Sequence, residues 1–505
     1  MTSPKILLPL LLSTASLIST ASAQNPPVAA PPGSVLDRIS TLAGSATGAW
    51  TAQQIATMSR LRDAALGDDY AYNQLAYLTD AIGPRLSGSS QAEAAVERVA
   101  AQMRALGAVV TLEKTTVPHW IRGEETAELT EWPGKVTGTP QKIVLTALGN
   151  SVATPAAGIT APILVVDSFA QLQALSAAVV KGKIVLFNRP FDKEMTSQGQ
   201  GLEAYIQNAP YRYRGPAVAA ALGAAAVLVR SLGSADFRLP HTGLTQYVEG
   251  GKNIPAAAVT AEDAELIQRL ARSGTVMMRL KLTPQTLPPA VSYNVIADWQ
   301  GAEHPEQVVI VSGHLDSWDL GTGAIDDGAG VVTAMEAIQL LQSMNIHPRR
   351  TVRFVAWMNE EFGASGAVSY AQEHAAEFAN HVAVMESDVG GDHPIGLQLS
   401  SPALARYLAP VGEALNPIGA GVLTSVEGIP SEDVSPMVAS GVPGLAPAQD
   451  TRFYFNYHHT AADTLDKVDK HHLAENAAVI AVTAYALADA STPAPRQMTS
   501  PPGPQ

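Results

Sequence analysis

Nine residues between positions 314 and 459 stand in short groups of the types that bind divalent metals: His314 and Asp316, Asp326 and Asp327, Glu360 and Glu361, Asp388, and His458 and His459. Each group alone has a plain structural reading. A His-x-Asp can be a surface turn, a Glu pair a solvated helix start, an Asp pair an N-cap, and a histidine a satisfied core residue. Together they supply imidazole and carboxylate ligands without thiolate, a set that suits zinc first, with cobalt or manganese as alternatives. The matching chemistry is metal-assisted hydrolysis. A two-metal site needs one carboxylate shared between ions about 3.5–4 Å apart. It also needs a further histidine and acid on each metal, and one more acid free to take a proton from water. Adjacent Glu360 and Glu361 can point differently, one to metal and one to water.

The elements around these residues support that reading. Gln307–Ser312, Thr351–Met358 and His381–Glu386 read as strands, and 329–344, 364–378 and 470–489 as helices. Strands alternating with helices predict an α/β fold: a mostly parallel, twisted sheet flanked by helices on both faces. Ligands bind such sheets at the carboxyl ends of the strands. His314, Glu360 with Glu361, and Asp388 follow three such ends, while the Asp326 and His458 groups fall in adjoining loops. Upstream, 51–66 and 70–81 carry helical spacing, Ser89-Ser90 cap a helix that Gly107 stops, and Val109–Val117 alternates like a strand. The middle block, 130–288, has its own texture. Strand-like runs at 143–147, 162–166, 184–187 and 226–229 mix with helical stretches around 169–179, 215–224 and 261–272, predicting a separate small α/β module. The larger block is thereby split into 35–129 and 289–490.

The chain has 505 residues, 46% of them hydrophobic and 15% charged, enough to build a large core. It contains no cysteine, which excludes disulfides, zinc–thiolate sites and thiol catalysis. A formal net charge of -14 speaks against nucleic acid as a partner. Lys5, the short apolar run Ile6–Leu12 and Ala21-Ser22-Ala23 predict a signal peptide over 1–23, cleaved before Gln24. That run is too short to span a bilayer. An exported, periplasmic or secreted protein without a membrane anchor is expected. Residues 24–34 read as a flexible entry and the proline-rich 491–505 as a disordered tail.

The runs GHLDSWDLGTGAIDDGAG, MNEEFGASG, ESDVGG and YHHTAADT resemble the co-catalytic di-zinc aminopeptidase family, in its carboxypeptidase Q branch (plasma glutamate carboxypeptidase). The likeness extends from GPRLSGS near 83–89 to about 490. The run YRYRGPAVAAALGAAAVLVRSLG, with LPHTG and IPAAAVTAEDAE, resembles a protease-associated (PA) domain inserted in the peptidase domain. The resemblance implies an exopeptidase holding two Zn2+ and cutting short peptides at free chain ends. It implies that His314, Asp326 and Asp388 hold one zinc, and that Asp326, Glu361 and His459 hold the other, with Asp326 bridging. His459 is chosen over His458 because the ligand stands directly before Thr. Glu360 is the implied general base. Asp316 is implied to orient His314 through its other ring nitrogen, and a cis peptide is implied at Asp326–Asp327. One departure from many relatives is Asp327-Gly328-Ala329-Gly330 after the bridging residue. Arg452, Tyr454 and Tyr457 are candidates for substrate contact, with packing as the alternative. The insert reads as a lid or access element, or else as a spacer or homodimer surface. Two rival functions share the fold: a glutaminyl cyclase-like acyl transferase, usually with one zinc, and a catalytically silent peptidase-like binding protein.

Overall fold

The computed structural model describes residues 48–426, 428 and 430–496. The expected signal peptide over 1–23, the expected flexible entry over 24–34 and residues 497–505 lie outside the described residues. Among those described, no helix is long and apolar enough to cross a membrane.

Two eight-stranded sheets carry the fold. The first consists of β1 (Val109–Ile121), β2 (Gln285–Trp299), β3 (His304–His314), β4 (Arg350–Trp357), β5 (His381–Glu386), β6 (Pro394–Leu399), β7 (Val422–Ser425) and β8 (Gly444–Gln449), in the order β1-β2-β4-β3-β5-β8-β6-β7. The central four strands run parallel: β4, β3 and β5, which were expected, and β8, which was not. Their buried runs, such as Val308-Val309-Ile310-Val311, are apolar on both faces, as a sheet covered by helices requires. Antiparallel pairing sets in on both flanks, at β1–β2, β2–β4 and β8–β6. The helices α2 (Ala329–Ser343), α3 (Ser365–Glu373) and α4 (Lys470–Asp489) cover the sheet, and α1 (Ala52–Ala65) packs on α4. In α4 every residue from Leu473 to Ala488 is buried, so this helix is apolar on all sides and lies inside the core.

The second sheet lies between β1 and β2. Strands Ile159–Val166, Ile184–Phe187, Ala226–Arg230 and Ala256–Val259 run parallel at its centre. Gln141–Ile143 and Leu145–Ala147, where a single strand over 143–147 was expected, sit at opposite ends of the strand order although only Val144 separates them. The sheet therefore curls until its edges meet. The excursion begins after Ile121 and returns at Gln285, earlier at both ends than the expected 130–288, because Glu125–Glu131 pairs with Met277–Leu282 inside the module. β1 and β2 stay paired from Val109↔Asp298 to Ile121↔Gln285, forming a two-stranded ribbon that leads into the module.

The start of the expected tail is packed chain. Tyr407 donates its hydroxyl to the Thr492 carbonyl at 2.6 Å, Ala494 is buried, and Arg496 donates to the carbonyls of Phe378 and His381.

Candidate metal centre

The ends of β3, β4 and β5 and two loops bring the expected ligands together. His314 closes β3, and its Nε2 lies 3.1 Å from Asp326 Oδ1 and 3.1 Å from Asp388 Oδ1. His459 stands after β8, and its Nε2 lies 3.1 Å from both Asp326 Oδ2 and Glu361 Oε2. Asp326 thus turns one oxygen towards each histidine. A single N–H cannot point at two carboxylates at once, but two ligands of one zinc, bound at about 2.0–2.1 Å, lie about 3.3 Å apart. Asp326 Oδ2 and Glu361 Oε1 are buried without a hydrogen-bond partner, as oxygens reserved for a cation would be. The residues present could therefore hold two metal ions. Charge agrees with geometry. Burial opposes a charge on His459, yet Glu361 and Asp326 outweigh it and push its pKa up to about 9. His314 is raised well above the ordinary value in the same way, with Asp388 and Asp326 outweighing burial. The acids create a demand for positive charge at this spot.

His458 stacks on His459 with ring centroids 3.7 Å apart. Its Nε2 lies 3.3 Å from Asp326 Oδ2, but its Nδ1 faces His241 Nε2 at 3.0 Å, so it adjoins the cluster without reaching Glu361. Glu360 lies beside the cluster. Burial first, then the neighbouring Glu361 and Asp388, raise its carboxyl well above the ordinary range. Glu386 ends the same strand that leads to Asp388, yet turns away and accepts from the Asp433 N–H at 3.0 Å.

The loops are fixed by buried side chains. The Asp326–Asp327 peptide is cis. Asp327 accepts from the His314 N–H at 3.0 Å and the Gly330 N–H at 2.9 Å, tying the end of β3 to the start of α2. Gly330 in this motif is a point of close approach: a Cβ there would lie 1.9 Å from the Ser387 carbonyl oxygen. Asp463 accepts from the N–H groups of Ala324 and Ile325, and burial pushes its carboxyl up to about 7. Arg85 donates to the carbonyls of Leu315, Thr322 and Gly323. Both lie in motifs quoted above, YHHTAADT and GPRLSGS, but spacing alone gave them no task.

Asp316 does not act through its carboxylate as expected. His314 Nδ1 faces the Asp316 backbone carbonyl at 3.0 Å, while the carboxylate stands 3.9 Å away. Asp316 Oδ1 instead accepts from the Asn359 and Glu360 N–H groups, at 2.6 and 3.1 Å, and Oδ2 accepts from the Ser87 hydroxyl at 2.9 Å. Two residues along a strand end, the backbone reaches the imidazole first. The side chain is left to hold the turn that carries Glu360.

The cluster opens into a pocket of about 200 Å³. Tyr454 lines it; Arg452 does not, and pairs with Asp450 at the surface, while Tyr457 packs under Lys467. The inserted module contributes Tyr205, Arg212 and Tyr213 from helix Gly201–Tyr213. This helix was not legible in the sequence, since Pro210 interrupts its pattern. The run YRYRG was visible, but not that it faces the metal ligands.

The model of peptidase family M28 matches residues 294–484. Carboxypeptidase Q of Homo sapiens is 40% identical over 430 residues, covering 84% of this chain and 87% of that protein. The solved structure of a peptidase M28 precursor from Shewanella amazonensis superposes with a TM-score of 0.82 at 35% identity, covering 90% of this chain and 99% of that one. A zinc aminopeptidase from Bacillus subtilis shares the fold, with a TM-score of 0.60 at 22% identity over 82% of this chain and 94% of its own. With this identity spread over most of both chains, the protein belongs to peptidase family M28.

Proposed function

We propose that this peptidase is an exported exopeptidase that removes residues at free chain ends with two zinc ions and Glu360 as general base. The observation that carries the reading is the position of Asp326, one oxygen towards His314 and the other towards His459 and Glu361. His314, Asp326 and Asp388 would hold one ion, and Asp326, Glu361 and His459 the other. When bound, such a pair lowers the pKa of water and polarises the scissile carbonyl. Glu360, anchored through its N–H to Asp316, takes the proton from the attacking water and returns it to the leaving amine. Burial holds the Glu360 carboxyl up towards the range in which it can do both. The module's side chains in the pocket support an access role for the insert, resembling a PA domain, rather than that of a spacer. The cyclase and silent-receptor alternatives predict an incomplete ligand set, and all five positions carry ligating side chains.

Glu360→Gln should lower kcat by about 10²–10⁴-fold while the variant still binds two equivalents of zinc. Unchanged turnover would remove Glu360 from the mechanism, and saturation at one equivalent would favour the cyclase reading. The signal-peptide reading is checked by N-terminal sequencing of exported protein, expected to begin at Gln24.

A further inference from the structure

Away from the pocket, a second group of imidazoles and a carboxylate meets at the start of α4. His472 and Glu475 stand three residues apart on that helix and so share a face. His393, which leads from the Asp388 loop into β6, comes up beside them, with its Nδ1 2.7 Å from Glu475 Oε2. His393, His472 and Glu475 each offer one ligand atom within 4.8 Å of the other two. Two ligands of one zinc lie about 3.3 Å apart, which a small turn of the half-exposed rings reaches. Asp392 and His471 stand around the group. Asp392 Oδ1 lies 3.7 Å from His472 Nδ1, and His471 Nε2 lies 3.4 Å from Glu475 Oε1.

Two observations mark this as more than an ion pair. His472 Nδ1 is buried and has no hydrogen-bond partner, although its ring stands beside two carboxylates. Glu475 is 6% exposed, and among the described residues no lysine or arginine pairs with it or with Asp392. A buried carboxylate needs a positive partner, and a buried ring nitrogen needs a group to meet it. One divalent cation supplies both. The backbone that carries the group is braced from two sides. Asn476 Nδ2 donates to the Asp392 carbonyl at 2.8 Å, and the Asp450 N–H donates to the His393 carbonyl at 3.0 Å. Gly419, at φ +78°, leaves room for the His393 ring: a Cβ there would come within 3.0 Å of Nε2.

We propose that His393, His472 and Glu475 form a further metal site, separate from the Asp326 cluster, whose ion clips the loop carrying Asp388 to the start of α4. Two imidazoles and a carboxylate without thiolate suit a zinc-class divalent ion, with water completing the coordination. Because both histidines are half-exposed, this site fills at higher free zinc than the buried cluster. The inference does not depend on the exopeptidase reading.

The test raises free Zn2+ in steps over the whole protein in a chelator-buffered series, and reads bound zinc and melting temperature at each step. The wild type should take up one equivalent beyond those that the Asp326 cluster holds, with a further rise in melting temperature as it binds. His472→Ala should weaken that last equivalent by about 100-fold or more, beyond the loss that follows removal of a mere supporting group, and should lose the further rise. His393→Gln should do the same, and decides the matter if His472→Ala fails to fold. A wild type with no additional equivalent overturns the proposal. So does an additional equivalent that persists at the same affinity in both variants, or one whose binding raises the melting temperature of wild type and variants alike. The reading is the difference between wild type and variant. A cluster that holds one ion instead of two would therefore count against the two-zinc exopeptidase reading and leave this test intact.

Discussion

Replacing Asp316 separates two ways in which a buried acid can serve a metal site. Asp316 Oδ1 accepts two backbone N–H bonds, from Asn359 and Glu360, and the residue is fully buried. Bonds to a charged acceptor contribute about 1.5–3 kcal/mol each, and neutral ones about half as much. In Asp316→Asn, Oδ1 can keep both N–H groups while the new amide faces Ser87, whose hydroxyl can turn to accept. The change should then cost about 1.5–3 kcal/mol in urea-induced unfolding. Asp316→Ala leaves two buried N–H groups unmet, at about 1–3 kcal/mol each. Because the turn that holds Glu360 loses its anchor, a shift of about 1 Å there would lower kcat by about 10²-fold. Zinc affinity should stay close to the wild type, since the His314 ring is held by a backbone carbonyl. The assay is kcat together with zinc affinity, measured by competition with a chelator. If the carboxylate instead oriented His314, zinc affinity would fall by about 10–100-fold with the rate per bound zinc intact. That outcome would refute the role argued here.

Other perturbations probe the scaffold. Arg85→Met should destabilise by about 3 kcal/mol or more, because three carbonyls lose a buried donor; urea denaturation reads this. Gly330→Ala drives a methyl group into the Ser387 carbonyl, so soluble yield and melting temperature should both fall, at a cost of about 3 kcal/mol. Glu336 on α2 accepts from the Ala71 N–H, and burial pushes its carboxyl up to about 8. The folded state keeps a proton that the unfolded chain releases near the ordinary value of 4.5. Stability should therefore fall as pH rises from about 4.5 to 8, by at most about 1.4 kcal/mol per pH unit. Glu336→Gln should flatten that slope in denaturation curves taken across the window.

Much of the candidate metal cluster was legible in the sequence because its members follow runs of buried, mostly apolar residues. Val308–Val311 and Val352–Trp357 mark strands by composition, and a parallel sheet gathers its strand ends at one edge. Two other strands were harder to see. Pro394–Leu399 and Gly444–Gln449 contain proline and glycine, and their pairing comes from the sheet they join. Arg85, Asp463 and Arg212 escaped notice for a related reason. Their work is to meet backbone groups or a pocket contributed by segments distant in sequence, and no local period encodes such partners. Asp316 was noticed, but its spacing from His314 could not say whether backbone or side chain would reach the ring.

The ribbon of β1 and β2 bears on the order of folding. Ile121 and Gln285 are paired partners, yet the whole inserted module separates them in the chain. While that stretch is unstructured, bringing the two strands together closes a very long loop, and the entropy of closure delays such a pairing. Once the module has folded, its two ends leave side by side and the loop shrinks to the width of a strand pair. The module should therefore act as a clamp that must set before the larger sheet can acquire its β1 edge. Pulsed hydrogen exchange during refolding of the whole chain should protect Ile184–Phe187 before Val109–Val117, and the reverse order would contradict this sequence of events.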